Sequence, residues 1–144
     1  MAPPQARKVY PDHTLSEFRH WLLPKPGVVN SYVSCNASGI VENFCSFYHL
    51  PSSCVQHPVH SHIYAAYSYY NVATTVPLRQ LMKDCLGEAR REGQDVFNAL
   101  NVMENDEFLT DLNFGMGDGN LNYYLFNWQT EGRMQPKELG LVLL

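Results

Sequence analysis

Three consecutive stretches, Ala65-Ala-Tyr-Ser-Tyr-Tyr-Asn-Val-Ala-Thr-Thr75, Pro77-Leu-Arg-Gln-Leu-Met-Lys-Asp-Cys-Leu-Gly-Glu-Ala-Arg-Arg91 and Asp95-Val-Phe-Asn-Ala-Leu-Asn-Val102, decide the fold. The first is crowded with aromatic and β-branched residues and reads as a strand. In the second, Leu78, Leu81, Met82, Cys85, Leu86 and Ala89 recur at helical spacing, while Arg79, Lys83, Glu88, Arg90 and Arg91 lie mostly on the other side. Pro77 suits a first helical turn, and Gly93 suits the stop. The third stretch reads as a buried strand. Strand, helix and strand in succession place the chain among α/β (α+β) folds, a mixed sheet with helices packed on it.

The flanks fit that plan. Upstream, Thr14-Leu-Ser-Glu17 has the form of a capping box, and Leu15, Phe18 and Leu22 fall on one face of the helix it would open. Pro24 and Pro26 stop that helix. Val28 to Cys35 and Ile40 to Leu50, separated by Asn36-Ala-Ser-Gly39, read as a β-hairpin, and Pro51 to His62 as a loop. Downstream, Asp106 to Asn113 reads as a short helix, Leu121 to Trp128 as a strand and Glu138 to Leu144 as the closing strand. The sequence contains no internal repeat and no low-complexity segment.

Composition narrows the function classes. At 144 residues the chain fits one domain with a real core, and 45% hydrophobic against 17% charged residues excludes a disordered chain. A net charge of −4, with no Lys/Arg run longer than two, argues against nucleic acid and favours cationic partners. Cys35, Cys45, Cys54 and Cys85 lack C-x-x-C spacing and read as reduced, mostly buried thiols of a cytoplasmic protein, with a Cys35–Cys45 bridge across the hairpin as the alternative. No apolar stretch approaches 18 residues and the start has no apolar signal region, so neither export nor a transmembrane segment is expected.

Three constellations carry potential chemistry. Phe114-Gly-Met-Gly-Asp-Gly119 spaces glycines around one acid, which lets backbone approach a ligand and lets Asp118 meet a cation; taken on its own, a helix stop plus turn is the simpler reading. The loop follows a helix and lacks G-x-G-x-x-G spacing, so it is no dinucleotide fingerprint. His57-Pro-Val-His60-Ser-His62 offers imidazoles for a metal but has no carboxylate or cysteine pair at ligand spacing, and a solvated loop is the simpler reading. Tyr64, Tyr67, Tyr69 and Tyr70 are core material whose hydroxyls need partners if buried, or one wall of a binding site.

The run Glu138-Leu-Gly-Leu-Val-Leu-Leu144 is almost without polar groups except the α-carboxylate after Leu144. Burying such a run draws the carboxylate toward a dry environment, which raises its pKa above the usual value of roughly 3.5 and makes it a proton acceptor. The simpler alternative is a closing strand whose carboxylate reaches solvent.

Phe47-Tyr-His-Leu-Pro-Ser52, Ala65-Ala-Tyr-Ser-Tyr-Tyr-Asn-Val72, Asp95-Val-Phe-Asn-Ala-Leu100, Asn113-Phe-Gly-Met-Gly-Asp-Gly119 and Gly140-Leu-Val-Leu-Leu144 together resemble the C-terminal half of eukaryotic glycylpeptide N-myristoyltransferase. The resemblance runs in order from about Thr14 to Leu144, leaving 1–12 as a flexible leader and 13–144 as the peptide-binding domain. It implies an acetyltransferase-like (GNAT-like) half with a mostly antiparallel sheet. The family's glycine loop usually reads Lys-Phe-Gly-x-Gly-Asp-Gly, and Asn113 replaces its lysine. The family's Glu-Val-Asn-Phe-Leu-Cys type motif, part of the half that holds most of the acyl-CoA site, has no counterpart here.

That resemblance implies protein N-myristoylation, the transfer of a tetradecanoyl group from myristoyl-CoA to the N-terminal glycine of a substrate protein. The Leu144 carboxylate would take a proton from the glycine ammonium, and Ser52, Tyr67, Asp118, Gly119 and Leu143 would contact the peptide. In water the two groups differ by about 4.5 pKa units, roughly 6 kcal/mol against transfer, and burial shifts both in the helpful direction. No metal and no cofactor are implied, myristoyl-CoA being a co-substrate held mainly by the other half. The isolated chain is then expected to be inactive. The rivals are a truncated paralogue that binds Gly-starting peptides without catalysis and a metal-dependent protein centred on His57, His60 and His62.

Overall fold

A computed structural model describes residues 7–55, 57–117 and 119–143. Its centre is a four-stranded sheet in the order β1 (Val29–Cys35), β2 (Val41–His49), β5 (Ala65–Val72), β6 (Val96–Asn98). The first three strands run antiparallel and β6 lies parallel to β5. A parallel neighbour requires a crossover, and α2 (Leu78–Arg91) supplies it. The sheet is therefore mixed and mostly antiparallel, with packed helices.

The hairpin forms where the sequence puts it. Asn36 Oδ1 accepts from the Ser38 and Ile40 amides at 2.9 and 3.0 Å, and Gly39 takes φ +78°. The capping box also forms: the Glu17 amide donates to Thr14 Oγ1 at 3.3 Å and the Thr14 amide to Glu17 Oε2 at 2.9 Å, opening α1 (Leu15–Leu22). Leu22 is buried and the partly exposed Phe18 ring lies 6.3 Å from that of Phe44 on β2, whereas Leu15 is exposed, so α1 meets the sheet through Phe18 and its last turn. α2 buries Leu81, Met82, Cys85 and Ala89 and ends in a Schellman motif, with Gly93 donating to the Arg90 carbonyl at 3.1 Å and Gln94 to that of Ala89 at 3.0 Å.

The later elements depart from the sequence pattern. The strand expected over Asp95–Val102 shortens to β6, because the chain leaves the sheet at Ala99; Asn105 Nδ2 donates to the Leu100 carbonyl at 2.7 Å, and Met103 takes φ +57°. The helix expected to Asn113 is regular only over α3 (Asp106–Leu109) before turns lead to Asn113 at φ +58°, a left-handed position that asparagine tolerates better than most residues. The loop after Pro51 contains a small ladder, β3 (Ser52–Ser53) on β4 (His62–Ile63).

Two expected strands are corrected. Leu121–Trp128 forms no strand: no ladder partner lies beside it among the described residues, and Tyr124, Phe126 and Trp128 are largely exposed. Of the closing strand expected over Glu138–Leu144, the described residues 138–143 join no sheet; a 3-10 turn over Pro136–Glu138 leads into a single parallel bridge between Leu139 and Val9. Residues 7–10, inside the stretch read as a leader, supply that bridge.

Each face of the sheet has its own core. Cys45, Phe47 and Ala66 face Leu81, Met82, Cys85, Ala89 and Phe108 on the helix side. Leu22, Val29, Tyr69, Val102, Met103, Leu139 and Val142 form the other, with Tyr48, Tyr70, Tyr123 and Leu141 packed on it. The four cysteines are free, but only Cys45 and Cys85 are buried; Cys35 stands opposite Val41, not Cys45, which removes the cross-hairpin bridge. The Cys85 thiol is pushed up by its hydrogen bond with Cys45 and by burial, so it is inert.

Candidate functional site

The site begins with an irregularity in β5. Between the pairs Cys45↔Asn71 and Phe47↔Ser68, β2 contributes Ser46 alone while β5 contributes both Tyr69 and Tyr70. This is a β-bulge, and it is bridged by a fully buried hydroxyl: Ser46 Oγ donates to the Tyr70 carbonyl at 2.8 Å and accepts from the Tyr70 amide at 3.0 Å. In a regular strand Tyr69 and Tyr70 would point to opposite faces. The bulge instead brings both to the same core, their rings 4.5 Å apart, on the face away from α2.

A wall of phenols follows. Tyr48 stacks on Tyr67 at 5.3 Å and meets Tyr69 edge-on at 5.7 Å. Burial raises Tyr48, Tyr70 and Tyr123 above the usual phenol range and pushes Tyr69 up to about 12, so these side chains stay neutral hydroxyls in the physiological range.

Over this wall runs the end of the chain. The Val142 amide donates to the Tyr70 hydroxyl at 3.2 Å, and the Tyr123 hydroxyl donates to the Leu141 carbonyl at 3.0 Å. Two residues earlier the Gly140 amide donates to the Val9 carbonyl at 2.8 Å. That crossing is close: a Cβ at 140 would lie 2.7 Å from Arg7 Cδ and 3.2 Å from Tyr10 Cβ, so a larger residue there has to displace the Arg7 side chain. Lys8 holds the same crossing through an ion pair with Glu138 at 2.9 Å. Leu139 and Val142 are buried and Leu143 is half exposed.

The expected contact residues are distributed as follows. Tyr67 is on β5 in the phenol wall, and Leu143 lies at the described end of the tail beyond it. Ser52 sits exposed in the β3–β4 ladder, paired with Ile63. Gly119 is exposed in an irregular loop, and Gly115, Gly117 and Gly119 have no neighbour that a Cβ would meet. Asp118 and Leu144 lie outside the described residues. Tyr70, Tyr123 and Ser46 are the residues sequence reasoning did not single out for the tail; the unmet hydroxyls of the tyrosine run were the available signal.

The histidine loop behaves otherwise. His57, His60 and His62 with Cys54, Ile63, Asp95 and Val96 line an open cleft of about 310 Å³. His57 Nδ1 is occupied in accepting the Val59 and His60 amides, and Asp95 Oδ2 in accepting the Tyr64 amide. Among the described residues no group of three or more His, Cys, Asp or Glu side chains could hold a metal ion.

The mixed sheet with its β5–α2–β6 crossover is GNAT-like in fold, and an acetyltransferase from Trypanosoma brucei shares it at TM-score 0.54, 13% identity and 77% coverage of this chain against 75% of its own. Residues 5–142 match the family described as Myristoyl-CoA:protein N-myristoyltransferase, C-terminal domain, and the chain belongs to that family. It is 47% identical to the glycylpeptide N-tetradecanoyltransferase of Drosophila melanogaster over 134 residues, covering 93% of this chain and 28% of that protein. The crystal structure of Saccharomyces cerevisiae N-myristoyltransferase with bound myristoyl-CoA matches at TM-score 0.81 and 30% identity, over 92% of this chain and 40% of that one. The chain thus spans about three tenths of the length of the curated relatives it matches. No helix among the described residues is long and apolar enough to cross a membrane.

Proposed function

We propose that this chain is the peptide-binding half of an N-myristoyltransferase, acting in the cytoplasm on proteins that begin with glycine. The observation that carries the reading is that Tyr67 and tail residues Leu141 and Val142 meet one continuous phenol wall on one face of the sheet. In the complete enzyme the glycine ammonium gives a proton to the Leu144 carboxylate. The freed amine attacks the thioester carbonyl carbon of myristoyl-CoA, the C–S bond breaks, and CoA leaves as its thiol after taking up the amine's second proton. Ser52, Tyr67, Asp118, Gly119 and Leu143 hold the peptide, Asp118 facing a basic residue a few positions after the glycine through a charge-assisted contact.

Burial of Leu139 and Val142 supports the dry surroundings this proton transfer needs. The acyl donor is held mainly by the other half, so the 144 residues alone carry out no turnover. The exposed run Leu121, Tyr124, Phe126 and Trp128 supports self-association or hydrophobic-dye binding of the isolated chain.

The test is made in a full-length family enzyme whose C-terminal portion is this chain. Amidating Leu144, or adding one residue after it, lowers the single-turnover rate by orders of magnitude while acyl-CoA binding stays intact. An unchanged rate rules the carboxylate mechanism out. Acylated peptide produced by the isolated chain above background would show a donor site within these 144 residues, and peptide binding by a native protein of this mass without catalysis would favour a truncated peptide-binding paralogue.

A further inference from the structure

The tail is held in an unusual way. Beyond the Val9 crossing at Gly140 it belongs to no strand ladder among the described residues; instead one amide and one carbonyl, at adjacent residues, are taken by two tyrosine hydroxyls from different parts of the chain. Tyr70 reaches Val142 only because the Ser46 bridge stabilises a bulge that turns it out of strand alternation. Tyr123 reaches Leu141 from the segment that the sequence pattern would make a strand but that forms none. Ladder bonds would fix the tail by repetitive pairing that can slip in register, whereas two hydroxyls, one from β5 and one from outside the sheet, fix individual atoms.

Resting on the assignment of the Leu144 carboxylate as base, we infer that Tyr70 and Tyr123 are positioning residues for that carboxylate, setting its place and shelter through the backbone of Leu141 and Val142. Neither touches the reacting atoms. A base must sit within hydrogen-bond reach of the proton it takes, and an error of about 1 Å can cost on the order of a hundredfold in rate. A terminal segment with no ladder would otherwise fray.

Two measurements test this. In the 144-residue chain, amide hydrogen exchange at Val142 should quicken at least tenfold in Tyr70→Phe, which deletes one oxygen and no packing, and stay unchanged in Tyr32→Phe, whose hydroxyl bonds Asn30 and Glu92 instead. Unchanged Val142 exchange in Tyr70→Phe overturns the tether. In a full-length family enzyme carrying this chain, Tyr70→Phe and Tyr123→Phe should each lower the single-turnover rate about tenfold with acyl-CoA affinity unchanged. The acid limb of the pH–rate profile should also move to lower pH as the carboxylate gains water, and the double variant should lose less than the product of the singles, because both hold one tail. A rate loss without movement of the acid limb would assign the tyrosines to stability alone and overturn the inference. If amidating Leu144 abolishes turnover while both variants keep the parent rate, this inference fails and the carboxylate base stands; if amidation has no effect, the base itself fails.

Discussion

On one face of the sheet, Cys45, Phe47 and Ala66 pack against Met82, Cys85 and Phe108; on the other, Tyr48, Tyr69, Tyr70 and Tyr123 pack against Leu139, Leu141 and Val142. The first face is covered by α2 and α3, whose backbone groups are largely satisfied within the helices, so its side chains need only fill space. The second is covered by the end of α1 and by chain without regular structure, whose amides and carbonyls need partners; the tyrosine hydroxyls supply two of them. The difference teaches where a site can be built: a helix-covered face has no spare polar capacity, while a face covered by irregular chain must carry polar groups that a ligand can also use.

The largest expected effect lies on the helix face. Phe108 is fully buried and meets the Phe114 ring at 5.6 Å, so Phe108→Ala should destabilise the fold by about 3–5 kcal/mol, read from denaturant melts. If that face serves stability alone, the variant that remains folded in a full-length enzyme keeps its single-turnover rate. A rate loss per folded molecule would break the comparison.

Asp118 tests the other side. Asp118→Asn in the full-length enzyme removes charge but little volume, and peptides with a lysine close to the glycine should bind more weakly by roughly 1.5–3 kcal/mol, while peptides without one change little. Equal weakening of both classes, measured by peptide titration, would make the glycine loop a structural turn.

How much of this was legible in the sequence follows from what each element rests on. The Thr14 capping box, the Asn36–Gly39 turn and the Gly93 stop are local chemistry, and they form as read. Tyr67 on its strand and α2 with its apolar stripe follow from periodicity. Leu121–Trp128 and Glu138–Leu144 have strand-like composition but find no ladder among the described residues, and pairing is a property of neighbours that composition does not encode. The Ser46 bulge was likewise invisible: it depends on a serine on one strand facing an extra residue on another, and a period-two reading assigns Tyr70 to the wrong face.

A smaller effect is expected at α1, which covers the tyrosine face through Leu22. Thr14→Ala deletes the two hydrogen bonds of the Thr14 hydroxyl, one from the Glu17 amide and one to the Glu17 carboxylate, leaves the backbone arm of the box, and should cost about 1 kcal/mol. The loss should appear in thermal melts and be recovered by Thr14→Ser, which restores the hydroxyl. Were the loss not recovered, threonine's methyl group and not its cap would be holding the helix.

The smallest effect concerns the one histidine at the rim of the helix face. His49 ends β2 beside Phe47, its Nε2 2.6 Å from Asn30 Oδ1 and its Nδ1 3.0 Å from Gln94 Nε2. Gln94 donating to Nδ1 and Asn30 accepting from Nε2–H is the pattern of a neutral ring. Burial lowers the His49 pKa below its usual value, and Glu92 opposes this only in part. The unfolded chain therefore takes up the proton first as pH falls: above about pH 6.5 both states are neutral and the residue adds no pH dependence. Stability should decline as pH drops through the unfolded value and level off once the folded ring is also protonated. Comparing melts at pH 8 and pH 5, the parent chain should lose more than His49→Gln, whose amide does not titrate. An equal loss in both would mean that other groups set the acid sensitivity, and that the polar rim of the helix face is as indifferent to protons as its apolar centre.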